Sequence, residues 1–203
     1  MNELKIFHKD CDNNLKNLSE YLIDIYKKMK MMYKIDENDY FVESNSISTI
    51  KWKEYNIFQF NNVEIYDLLK DIKELSEEVF YYYKINPKKE RYIIQGWFNI
   101  NHKDSGKLDW HRHVDVSEDT YRDFHGYYGV NIDDSSTLYQ SGDLLVENKN
   151  KNNRIVMANS YHQHCMGNWS WDQPRISVAY DLIPLSKAID KNVDPQHWFP
   201  LIY

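Results

Sequence analysis

Trp110-His111-Arg112-His113-Val114-Asp115, followed downstream by His164, ten further residues and then Arg175-Ile176-Ser177, is the stretch that organises this chain. Successive side chains of a strand point to opposite faces, so His111, His113 and Asp115 share one face while Trp110, Arg112 and Val114 share the other. Two imidazoles, or an imidazole and a carboxylate, set two residues apart on a strand and joined by a later histidine can fill one face of an octahedral ion and leave its other positions open. His164 supplies that later histidine. Arg175 and Ser177 share a face of the following strand, where a planar guanidinium and a hydroxyl can hold a carboxylate.

The surrounding pattern predicts a mainly β core. From Tyr92 onward, short alternating or β-branched runs cover 92–101, 108–115, 127–133, 137–140, 143–147, 154–158, 161–166 and 175–183. Turn signals separate them at Ser105-Gly106, Asp133-Asp134, Ser141-Gly142 and 148–153. Eight strands with no helix between them imply a sandwich or jelly roll rather than an α/β fold. Before this region, Leu15, Leu18, Leu22, Ile25, Met29 and Met32 recur at helical spacing over 12–33, with Asp12 or Asn13 as the expected cap. A second helix is expected from about Asn62 to Tyr82, started by Asn61-Asn62 and carrying Ile65, Leu68, Leu69, Ile72, Leu75, Val79 and Phe80 on one side. Both helices are expected to cover one outer face of the sheet. Between them, Tyr40-Phe41-Val42 and Ile57-Phe58-Gln59-Phe60 read as short β runs.

Size and charge narrow the possibilities. A chain of 203 residues and 24.6 kDa accommodates one substantial core, so a single domain is expected, with helical support over 1–90, a β core over 91–185 and a tail over 186–203. The formal net charge of -6 and pI near 5.7 give no electrostatic footprint for duplex nucleic acid. Cys11 and Cys165 form neither a disulfide framework nor a metal knuckle, which suits a reducing cytoplasm. No apolar run approaches the roughly 20 residues of a membrane span, so a soluble, cytoplasmic protein is expected.

The quoted residues carry a resemblance. The layout H-x-(D/E), then H-x10-R-x-S, resembles the Fe(II)/2-oxoglutarate-dependent oxygenase superfamily. Residues 95–101 (QGWFNIN), 110–113 (WHRH), 124–131 (FHGYYGVN), 153–164 (NRIVMANSYHQH) and 174–184 (PRISVAYDLIP) are similar to members common in tailed phages and marine bacteria. The resemblance covers roughly 95–184 and implies a double-stranded β-helix, a cupin-like jelly roll. It further implies Fe(II) as cofactor, 2-oxoglutarate and O2 as small-molecule partners, and hydroxylation of a substrate with release of succinate and CO2. In its terms His164 is the distal metal ligand, Arg175 pairs with the far carboxylate of 2-oxoglutarate and Ser177 assists. Asn99, on the strand before the motif, and Tyr128, on the strand after it, are expected to point inward and to bind the cosubstrate.

Two ligand sets fit the first half of the motif. One is His111, His113 and His164; the other is His113, Asp115 and His164. The Trp-His-x-His run carries the resemblance and Asp115 opens an acidic, loop-like stretch, which favours His111. A carboxylate better balances the charge of Fe(II), which keeps Asp115 as the alternative. The competing reading of the whole chain is a cupin-like protein that binds a metal and a small anion without oxygenase activity.

Overall fold

The structure, a computed structural model, describes residues 4–32, 46–49, 55–102, 110–113, 122–167, 169, 172–190 and 198–201. In chain order the elements are β1 (Ile6–Asp10), α1 (Leu15–Met32), β2 (Ser46–Ser48), a 3-10 turn (Ile57–Gln59), α2 (Val63–Tyr82), β3 (Tyr92–Asn101), β4 (Phe124–Asn131), β5 (Ser136–Ser141), β6 (Leu144–Lys149), β7 (Arg154–Asn159), β8 (Gln163–Met166), β9 (Arg175–Pro184), α3 (Leu185–Asp190) and β10 (Phe199–Leu201).

The strands form two antiparallel sheets. The larger runs β1-β7-β4-β9-β3-β10, with β2 also paired to β3, and the smaller runs β6-β5-β8. The chain passes to the small sheet after β4, returns at β7, and crosses again for β8 before returning at β9. This exchange between two facing sheets is the jelly-roll, double-stranded β-helix arrangement. His111 extends the small sheet: its backbone N–H donates to His164 O at 3.1 Å, and its carbonyl accepts from His164 N at 3.0 Å.

Alternation along the large sheet divides its residues into two sets. On the outer face, Ile94, Phe98, Ile100, Phe124, Tyr128, Ile155, Met157, Ile176, Val178, Tyr180 and Leu182 are buried in one cluster with Leu18, Leu22 and Ile25 of α1 and Ile65, Leu68, Ile72, Leu75, Val79 and Phe80 of α2. Burying each such aliphatic or aromatic side chain contributes about 1.5–3 kcal/mol, so the helices are part of the core and not an ornament on it. The apolar spacing of α2 places its stripe against the sheet, and the Asn62 side chain caps it by accepting from Ile65 N. The inner face holds Trp97, Asn99 and Asn101 of β3, His125 and Tyr127 of β4, and Arg175, Ser177, Ala179 and Asp181 of β9, brought level by the register Asn99↔Ser177, Trp97↔Ala179, Tyr127↔Ala179 and His125↔Asp181.

Several local expectations need correction. Ile57-Phe58-Gln59 is a 3-10 turn rather than a strand: Asn56 Oδ1 accepts from Phe58 N and from Gly96 N, while Asn56 Nδ2 donates to Ile94 O. That amide pins the turn onto β3, and Gly96 makes room for it, since a Cβ there would lie 2.3 Å from the Phe58 ring. The cap of α1 is Asn14, whose side chain accepts from Asn17 N, and not Asp12 or Asn13. Ile6–Asp10 forms an edge strand on β7, and Phe199–Leu201 of the tail pairs with Tyr92–Ile94. The run Tyr40-Phe41-Val42 and most of the expected strand over 108–115, including Asp115, lie outside the described residues. No helix among the described residues is long and apolar enough to cross a membrane.

Candidate metal centre

The strand pairing explains how the histidines meet. His111 and His164 are directly opposed across a two-stranded bridge, so their side chains leave the same face, with ring centroids 4.3 Å apart. His113, two residues along, returns to that face, its ring 5.4 Å from His111 and 5.0 Å from His164. Each of the three offers a nitrogen, and these atoms all lie within 4.8 Å of one another. The expected group of His111, His113 and His164 is therefore assembled, one imidazole from each of three backbone positions on the small-sheet side.

The opposite wall comes from the large sheet. Trp97 stacks on His113 at 5.8 Å with 21° between the ring planes. Asp181 of β9 accepts a hydrogen bond from His113 Nδ1 at 2.6 Å. His125 of β4 stacks on His164 at 4.4 Å and on His113 at 4.9 Å, and Tyr139 of β5 lies beyond it at 5.8 Å. His125 and Asp181 face each other across the β4–β9 pair and were not anticipated from sequence. The parity of β9 held the signal for Asp181, since it shares a face with Arg175, Ser177 and Ala179.

Protonation follows from these surroundings. Burial holds His164 well below the ordinary imidazole range, and the nearby His113 and His111 push the same way. Burial does the same to His125, reinforced by His164, His113, His111 and His162. Burial also presses His113 down, but the Asp181 carboxylate overrides it and the net shift is upward. His125, at 2% exposure, has no hydrogen-bond partner on either ring nitrogen among the described residues; neither does His113 Nε2 nor His164 Nδ1. Buried polar atoms are normally satisfied, so neutral imidazoles with idle nitrogens converging on one point suit a borderline divalent ion. His162, the spare histidine, is buried in the turn before β8 and is not one of the three.

Further along the inner face, Arg175 is only 6% exposed. Its Nη1 donates to Ser177 Oγ at 3.4 Å, Nε has no partner, and no carboxylate among the described residues pairs with it. Burial lowers its pKa and the Tyr127 phenol opposes that shift. Asn99 sits opposite Ser177 on the same face, half-buried. Tyr128, in contrast, does not point inward: it belongs to the helix-covered cluster and its hydroxyl bonds to Asn153 Oδ1. Its neighbour Tyr127 takes the inward position, donating to Asn150 Oδ1 at 2.5 Å and accepting from Asn148 Nδ2 at 2.7 Å. Two adjacent tyrosines are indistinguishable by residue type, and only the location of the helices decides between them.

No protein-family model matches the sequence, and no curated protein matches it. Among solved structures, a Pseudomonas putida prolyl-4-hydroxylase is similar with a TM-score of 0.54 at 7% identity, over 88% of this chain and 92% of that one. The apo form of the non-heme monooxygenase ThoJ gives a TM-score of 0.52 at 9% identity, over 88% of this chain and 74% of that one. EvdMO1 gives 0.53 at 13% identity, over 87% and 47%. The chain spans less than two thirds of several other matched structures, covering 45%, 44% and 58% of three of them. At these identities the likeness is one of fold alone, the jelly roll that this chain shares with the prolyl-4-hydroxylase and the non-heme monooxygenase.

Proposed function

We propose that this protein is an Fe(II)- and 2-oxoglutarate-dependent oxygenase in which His111, His113 and His164 hold the metal and Arg175 holds the far carboxylate of the cosubstrate. The observation that carries this reading is the coincidence, in the space between the two sheets, of three imidazoles with convergent nitrogens on the small-sheet side and, on the inner face of the large sheet, a buried guanidinium that no described carboxylate neutralises. A buried charge without a counterion costs several kcal/mol, which an anionic ligand would offset. Ser177 to Asp181 is four residues, roughly 13 Å of strand, and the long Arg175 side chain and the imidazoles shorten that gap from its two ends. A five-carbon dicarboxylate held at one end by Arg175 would have to span what is left to reach the metal.

Each residue then has a definable task. The three imidazoles would hold the divalent ion through their converging nitrogens. Arg175 binds a carboxylate through two parallel N–H donors, with the Ser177 hydroxyl beside it. Asn99 offers an amide to the same anion, and Tyr127 replaces Tyr128 as the inward phenol. Trp97, His125 and Tyr139 close the walls with rings and keep water from the reacting atoms. Fe(II) with 2-oxoglutarate and O2 would supply the oxidising chemistry, hydroxylating a substrate C–H bond with succinate and CO2 as co-products. That a prolyl-4-hydroxylase and a non-heme monooxygenase share the fold is consistent with this class.

Succinate formation tests it. Protein supplied with Fe(II), ascorbate, air and 2-oxoglutarate should release succinate, slowly without a primary substrate. Stoichiometric metal binding with no 2-oxoglutarate turnover would favour the metal-binding, non-oxygenase reading.

A further inference from the structure

We infer that Asp181 is a positioning residue: it fixes the tautomer and orientation of His113 and supplies the negative charge that a set of three neutral imidazoles lacks. The inference rests on His113 being a ligand, as proposed above. Three observations support it. Asp181 Oδ1 lies 2.6 Å from His113 Nδ1, both side chains are mostly buried at 15% and 12% exposure, and His113 Nε2 is buried without a partner among the described residues. A neutral imidazole that donates its Nδ1–H to a carboxylate presents a bare lone pair at Nε2. His113 therefore stands ready to ligate through Nε2 before any metal arrives.

Packing allows the ring little other freedom. Trp97 and His125 both stack on it, at 5.8 and 4.9 Å with interplanar angles of 21° and 15°. Rotation about the ring axis is thus left to the Asp181 hydrogen bond. The charge matters as well as the bond. Three imidazoles leave the full 2+ of the ion on the metal, and a carboxylate hydrogen-bonded behind one of them makes that ligand more basic. The position of Asp181 explains how it reaches the site from the large sheet: on β9 it lies six residues beyond Arg175 on the same inner face, opposite His125 of β4 and Gln95 of β3.

The test uses Co(II) as the probe, titrated calorimetrically into metal-stripped full-length protein, together with the ¹⁵N shifts of His113 in the metal-free state. Wild-type His113 should be protonated at Nδ1. Asp181→Leu removes bond and charge; it should release that tautomer and weaken Co(II) binding toward 100-fold, whereas Asp181→Asn, which still accepts the bond, should keep the tautomer and lose about 10-fold. Asp181→Glu should restore part of the loss. Asp181→Asn also serves if the leucine variant does not fold, and its unchanged affinity would overturn the charge argument. Wild-type affinity or an unchanged His113 tautomer in Asp181→Leu would overturn the positioning role. His113→Ala separates this from the reading beneath it: if that variant binds Co(II) as wild type, His113 is no ligand, whereas if it loses the metal and Asp181→Leu does not, only the inference about Asp181 fails.

Discussion

The two faces of the seven-stranded sheet are built from the same strands and follow opposite rules. On the face under α1 and α2, buried polar atoms find partners: Tyr180 donates to Val156 O, Tyr92 to Arg122 O, and Tyr128 bonds Asn153. On the inner face, His125 and Arg175, and across from them His164 and Tyr139 of the small sheet, bury polar atoms that have no hydrogen-bond partner among the described residues. Each unsatisfied group costs about 1–3 kcal/mol, which the apolar face must offset. One face folds the chain, and the other keeps its polar groups available for a ligand.

Substitutions should therefore separate the two faces. The largest effect is expected at the triad: His164→Ala should abolish saturable Co(II) binding while leaving the thermal midpoint of the metal-free protein near or above that of wild type, because an unsatisfied buried imidazole is removed. Collapse of stability in that variant would show that the inner face also carries the fold. Arg175→Ala comes next, with 2-oxoglutarate affinity reduced a few hundred- to a few thousand-fold, about 3–5 kcal/mol, and metal affinity retained. Arg175→Lys should recover only part, since an ammonium cannot reproduce the planar fork. An unchanged dicarboxylate affinity in Arg175→Ala, read by calorimetry, would remove the cosubstrate assignment.

On the other face the balance reverses. Leu68→Ala, at a fully buried position of α2, should lower unfolding free energy by about 2–5 kcal/mol with Co(II) affinity intact. Gly126→Ala should cost about 1–3 kcal/mol, because its Cβ would lie 2.3 Å from the Tyr180 hydroxyl and 2.2 Å from Val156 O. Denaturant titration with parallel metal binding checks both; a loss of metal affinity equal to the loss of stability would mean that the faces are not separable.

Acid gives the smallest and most graded effect. His125 and His164 have depressed pKa values in the folded state, so the unfolded chain takes up protons that the native one refuses, and stability should fall as pH drops below about 6.5. His113, shifted upward by Asp181 against burial, works in the other direction: its contribution is fully present below the unfolded value and is lost as pH rises through the folded one. With His162 also held down, by burial first and then by Arg112, three depressed imidazoles against one raised leave a net acid loss for the metal-free protein. His125→Phe should make that slope shallower, and an equal slope in wild type and variant would contradict the assignment of His125 as a buried neutral ring.

The same contrast explains what the sequence disclosed. Alternation in 92–101 and 175–184 exposed the paired central strands, and helical spacing exposed α1 and α2, because burial imposes a period that residue types record. The His111, His113 and His164 set and Arg175 were visible as spacing on strands. Edge elements were not: Ile6-Phe7-His8-Lys9-Asp10 and Phe199–Leu201 are held by pairing with distant strands, which leaves little local signature. Tyr127 and Tyr128 differ only in which side the helices occupy. Asp181 shares the parity of Arg175 and Ser177, but that it faces His125 follows only when β9 and β4 are laid side by side, a long-range fact that no window of sequence contains.

The central claim is that the inner face is a joint site for a divalent metal and a dicarboxylate. Anaerobic calorimetry of 2-oxoglutarate binding to the wild-type protein, with and without one equivalent of Fe(II), measures it directly. The account predicts one-to-one binding that tightens markedly when the metal is present. No saturable binding in either state, or binding indifferent to Fe(II), would contradict it.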